Sequence, residues 1–195
     1  MKRRAGFSLI ELMIAIVIMG ILLSLGIPAF SGMINNSKLR ASAQSFLAGI
    51  QMARSEAVRR NANVDFVLTN SDYTVVGFAA VTPNAAGQNW LIRTSDLATF
   101  VEGKFGAEGG SRIASEGSPV QVAGTIATVT FSGLGSTTLG GAATFQFTNP
   151  TGGNCASAGG PMRCLNVVVA IGGQARICDP AVSAAATAAG DTRGC

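Results

Sequence analysis

Histidine is absent from the 195 residues, and charged residues make up only 12 % of them. Without imidazole the chain lacks the commonest general base, the commonest metal ligand and every Ser-His or Cys-His catalytic pair. Carboxylates such as Asp65, Asp72, Asp96 and Glu102 are scattered without the spacing of a metal loop. The glycine pairs at 109–110 and 140–141 lack the Lys-Ser/Thr or the flanking elements of a phosphate loop. No cofactor, no metal and no enzymatic role is expected. Aromatic residues amount to 6 %, and none interleaves with the C-terminal arginines, so base stacking on single strands is not indicated. Cys-x-x-Cys pairs are missing too, which disfavours a zinc knuckle or a thioredoxin-like redox site.

What is abundant is apolar surface, at 48 %, together with 25 glycines. That balance suits a β-rich extracytoplasmic domain with many turns, and the length allows one ordinary domain plus extra segments. The formal charge is +4, of which Lys2, Arg3 and Arg4 supply three, so net charge gives no argument for nucleic acid.

The strongest pattern lies at the N-terminus. Phe7 to Ile27 is an apolar run that would span about 30 Å as a helix, the thickness of a bilayer's hydrocarbon core. Three basic residues precede it, and such a charge bias keeps that end cytoplasmic. A cleaved secretory signal or a plain anchor would share these features, but Glu11 fits neither. A carboxylate deep in such a run costs about 2.5–3.5 kcal/mol, judged from Asp, and calls for a partner. Cleavage between Gly6 and Phe7 would create one, the α-amino group of Phe7. The helical pattern also continues to Arg60, about 80 Å in all. Pro28 predicts a kink or a melted stretch around residues 22–28. Farther on, Leu39, Ala43, Phe46, Ile50, Ala53 and Ala57 recur at steps of four and three, a narrow apolar stripe that needs a sheet to cover.

After Asn63 the period changes. Strands are expected at Val64–Thr69, Tyr73–Ala80, Trp90–Arg93, Thr125–Phe131 and Thr144–Thr148, with a hairpin of Cys164–Ile171 and Ala175–Cys178 across Gly172-Gly173. Residues 82–89 and 102–119 read as loops, and Pro180–Gly190 as an Ala-rich tail. The cysteines Cys155, Cys164, Cys178 and Cys195 all fall in the last quarter and suggest two disulfides in an oxidising compartment. Three pairings are open. Cys155–Cys164 with Cys178–Cys195 is favoured, because each bond closes a Gly- or Ala-rich loop that little else would order.

Residues 4–13, Arg-Ala-Gly-Phe-Ser-Leu-Ile-Glu-Leu-Met, resemble the type III signal of type IV pilins and pseudopilins. The resemblance implies cleavage after Gly6 by prepilin peptidase, N-methylation of Phe7, and Glu11 as the acid that registers incoming subunits. Ala53 to Asn61, Trp90-Leu91-Ile92, Val129-Thr130-Phe131 and the Leu165–Pro180 stretch are similar to the GspH/FimT family. The Cys-Asp-Pro ending looks more like its FimT minor pilins than its GspH pseudopilins of type II secretion. The implied fold is α+β, a long N-terminal helix packed on an antiparallel β-sheet domain. The implied organisation is a leader 1–6, a transmembrane and filament-core helix 7–30, an amphipathic helix 31–61, a β-rich domain 62–178 and a disulfide-pinned tail 179–195. The implied location is the bacterial inner membrane with the C-terminal domain in the periplasm, then a pilus or pseudopilus of other major and minor subunits. DNA is a further candidate partner, because some FimT proteins bind it through Gly-Arg-x-Arg. Here that stretch is Gly173-Gln174-Ala175-Arg176, with Arg163 and Arg193 as candidate neighbours of Arg176. Three exposed arginines that merely solvate the domain are the alternative. Arg54, Arg59 and Arg60, beside Glu56, read as a structural cluster at a helix C-terminus.

Overall fold

The computed structural model describes residues 8–71, 74–105 and 120–195, and of residues 23–30 the backbone alone. Ser8 caps the first helix by accepting the Glu11 N–H at 3.3 Å. Helix α1 (Leu9–Arg60) then runs for 52 residues, about 78 Å. It stops at Asn61, which takes the left-handed conformation (φ 49°, ψ 42°) and returns its N–H to the carbonyls of Ala57 and Val58. The melted stretch expected around residues 22–28 does not occur, because α1 is continuous through Pro28. One proline removes one donor, and the turns on either side keep theirs.

Among the described residues, eight strands form two antiparallel sheets. The first has the order β3 (Phe100–Lys104), β2 (Asn89–Thr94), β1 (Val64–Thr69), β5 (Thr128–Phe131). The second has the order β4 (Gln121–Gly124), β6 (Ala143–Thr148), β7 (Leu165–Val169), β8 (Ala175–Cys178). Every residue of the α1 stripe is buried, together with the inward-facing Val64, Phe66, Trp90, Ile92, Phe145, Phe147, Val167 and Val169. Phe46 is the hinge of this core. Its ring lies 4.7 Å from Phe66 in the first sheet and 4.9 and 5.2 Å from Phe145 and Phe147 in the second. Phe66 in turn stacks on Trp90 at 5.3 Å. Gly49 is needed at the next turn, since a Cβ there would stand 2.8 Å from Trp90 Cη2.

Three further sequence expectations are corrected. Residues 74–80 are not a strand: they form turns and the 3₁₀ turn Phe78–Ala80, with residues 72 and 73 outside the described ones. Both edges of β1 are already taken, by β2 and β5, so the segment has no edge to join. It lies instead over the outer face of the first sheet, where Phe78 stands 5.7 Å from Phe100. There the buried Arg93 donates from Nη1 to the carbonyls of Phe78 (2.8 Å) and Ala79 (3.2 Å). The expected loop 102–119 yields its start to β3, and its remainder from residue 106 lies outside the described residues. The Ala-rich tail contains a short helix, α2 (Ala184–Ala188), capped by the Ser183 hydroxyl.

Candidate functional site

Polarity divides α1 into two working halves. From Leu9 to Leu22 every large apolar side chain is exposed, from 78 % at Leu9 to 52 % at Ile18. A helix apolar on all sides needs to be buried all round, and among the described residues nothing covers this half. Among the described residues no helix is long and apolar enough to cross a membrane; side chains of the run are described only as far as Leu22. Glu11 sits one turn into this bare half, exposed beside Leu12, Ala15, Ile16 and Met19. Gly6 and Phe7, the expected processing site, lie outside the described residues, as does the side chain of Pro28.

The second half is clipped to the head by polar contacts as well as by the core. Lys104 Nζ donates to Ser45 Oγ at 2.9 Å, the Arg163 N–H to Asn36 Oδ1 at 2.8 Å, and Arg54 Nε to the Gly135 carbonyl at 2.9 Å. At its end Glu56 accepts from Arg59 (2.6 and 3.0 Å) and from Arg60 (2.9 Å). Those side-chain hydrogen bonds, Arg59's foremost, hold its carboxyl down from 4.5 to about 2.

The cysteines pair as favoured, Cys155 with Cys164 and Cys178 with Cys195, at Cα separations of 5.3 and 5.1 Å. The second bond folds the tail back on β8. Asp179 bridges Gly194, and Arg176 donates to the carbonyls of Gly194 (2.9 Å) and Cys195 (3.3 Å). Arg193 is paired with Asp191 at 2.7 and 3.0 Å, and the side-chain hydrogen bond from Arg193 lowers the Asp191 carboxyl to about 2. Arg163 lines a small groove with Arg40 and Asp179. The candidate DNA arginines therefore gather around the tail, with Asp179 and Asp191 among them. Gln174 lies elsewhere, facing Arg54 and Arg59 across a groove at the end of α1. The grouping of the three arginines is an expectation of the sequence, but the carboxylates among them and the groove that Gln174 faces are not, since both depend on distant segments meeting. Among the described residues no group of three or more Cys, Asp or Glu is placed to hold a metal.

A bare apolar helix that continues into a head clamped on its second half defines a type IV pilin-like subunit. Residues 1–27 match the prokaryotic N-terminal methylation motif. Residues 42–173, more than half of the sequence, match type II transport protein GspH, and the chain belongs to that family. Membership implies processing by prepilin peptidase and assembly with other pilin-type subunits. The fold is similar to that of the type IV minor pilin FimU of Pseudomonas aeruginosa strain PAO1. One crystal structure matches with a TM-score of 0.52 at 15 % identity, over 72 % of this chain and 88 % of that one. A second crystal form gives 0.48 at 14 %, over 71 % and 90 %. No curated protein matches the sequence.

Proposed function

We propose that this chain is a FimT-like minor subunit of a type IV pilus, built in through the bare half of α1 at initiation or at the tip. The carrying observation is that half itself: every described large apolar residue from Leu9 to Leu22 is exposed, while the stripe beyond Leu39 is fully covered. In this reading residues 1–6 are removed, Phe7 is methylated, and the helix waits in the inner membrane with the head in the periplasm. Glu11 then pairs with an α-amino group on entry to the filament, and Pro28 lets the helix bend there. Intact mass of the chain from its native host should equal a methylated chain starting at Phe7. Retention of residues 1–6 in mature protein would sink the proposal, as would a Glu11→Leu variant that enters filaments at the normal level.

The GspH match favours a second reading, a minor pseudopilin of type II secretion. Deletion that abolishes secretion but spares pilus functions would select it. DNA uptake is the finer possibility within the first reading, and it rests on Arg163, Arg176 and Arg193 gathering at the tail. Asp179 and Asp191 offset part of that charge, so binding through it should be weak and steeply salt-dependent. Binding at low salt that is lost in Arg176→Gln supports it; no binding at low salt excludes it.

A further inference from the structure

At the far end of α1 from the bare half, three segments meet and leave a groove of about 650 Å³. One wall is a single face of the last helical turns, Gln51, Arg54, Val58 and Arg59; the other is Gly173 and Gln174 in the β7–β8 turn. The site is preformed. Arg54 Nε holds the Gly135 carbonyl, and the Thr137 N–H and hydroxyl both donate to the Ile171 carbonyl at 2.9 Å. Gly173, at φ +78°, packs so closely on the Gly135 carbonyl that a Cβ would collide with it. Around this groove stand exposed aliphatic side chains: Leu134 at 90 %, with Ile171 and Val58 about half exposed. Charge at the helix end leans positive: Arg54, Arg59 and Arg60 stand there against two acids, Glu56, which is bound by Arg59 and Arg60 and stays ionised, and Asp96, which feels Arg60.

We propose that this groove seats an apolar, carboxylate-bearing surface on the head of a different pilin-type subunit, not a second copy of this chain. The proposal rests on assembly through the bare helix. Parallel packing of such helices stacks heads head-to-tail, a heterologous contact that grows into a filament. The groove end of one head then faces the side of the next from which its helix emerges. In this chain that side carries Arg40 and Arg163 against Asp179. Two copies would set basic against basic, which electrostatic complementarity disfavours. A subunit with carboxylates on that side fits, and its apolar atoms cover Leu134 and Ile171. DNA fits less well, since phosphate gains nothing from the aliphatic rim and is repelled by Glu56.

The test uses the full-length chain in its native host, with a photo-crosslinking residue at Leu134 and, separately, at Val17 in the bare half. The expected result is a Leu134 adduct whose partner, by mass spectrometry, is another pilin-type chain joined through a head peptide containing Asp or Glu. Arg59→Glu should lower that adduct about tenfold and Arg59→Lys should retain it, with the Val17 adduct unchanged by either. An adduct of twice the chain's own mass, an adduct to DNA, or indifference to Arg59→Glu would each overturn the proposal. A Val17 adduct without any Leu134 adduct overturns it alone; loss of both overturns the filament reading with it.

Discussion

The two halves of α1 are both rich in apolar residues, yet one is bare and the other is among the most buried segments of the molecule. What separates them is spacing. In the second half the apolar positions fall on one stripe, so a sheet can cover them and polar residues take the rest. In the first half they occupy every side, and no single surface of the same chain could cover them all. Total hydrophobicity therefore says that a helix needs a partner, while its period says whether that partner is in the same chain.

The largest effect that would sharpen this contrast is at Phe46. Phe46→Ala should cost the head about 3–5 kcal/mol, the usual penalty for emptying a buried aromatic site. Ile16→Ala should leave it within about 0.5 kcal/mol. Urea unfolding of the full chain in detergent, followed by the fluorescence of the one tryptophan, Trp90, measures both. Equal losses would break the comparison.

Next in size is the tail. Replacing Cys178 and Cys195 together by Ser opens a bond spanning 17 residues, worth about 3 kcal/mol in the chain-entropy account. Limited proteolysis should then cut between residues 180 and 194 while the Cys155–Cys164 loop stays intact. A tail that remains protected would mean that Arg176 and the Asp179–Gly194 bridge hold it without the sulfurs.

The smallest effect belongs to the end of α1. Glu56 has a folded-state value near 2 against 4.5 ordinarily, so the folded state binds its proton less readily than the unfolded one. Its contribution is present above about pH 4.5 and is lost as pH falls towards 2. As a surface pair it should amount to less than about 1 kcal/mol. Thermal midpoints of the parent and Glu56→Gln should differ slightly at pH 6 and converge near pH 2. A gap that persists at pH 2 would assign the effect to packing rather than charge.

Much of this was legible in the residues. The six stripe positions are all buried, β1 spans Val64–Thr69 as read, and the β7–β8 hairpin turns at the glycine pair. These features are local, repeating every two or three to four residues. The failures lie where neighbours decide. β4 buries one side chain, Val122, and β3 carries Glu102 and Gly103 at an edge, so neither shows the alternation of a half-buried strand. Tyr73–Ala80 does look like a strand, and only the occupied edges of β1 and the buried Arg93 make residues 74–80 a cover. The candidate arginines were visible as a possible patch, but the carbonyl and carboxylate partners of Arg176 and Arg193 arrive through the folded-back tail.

Phe46 has a mechanical consequence. It touches both sheets from the helix, so a pull on the bare half of α1 enters the head through side-chain contacts that lie across the line of force. Those contacts extend along α1 from Leu39 to Ala57 and would have to slip together, as in a shear joint. The strands take little of the load. Loops on the sheets can then lengthen or change without weakening the shaft that carries the tension.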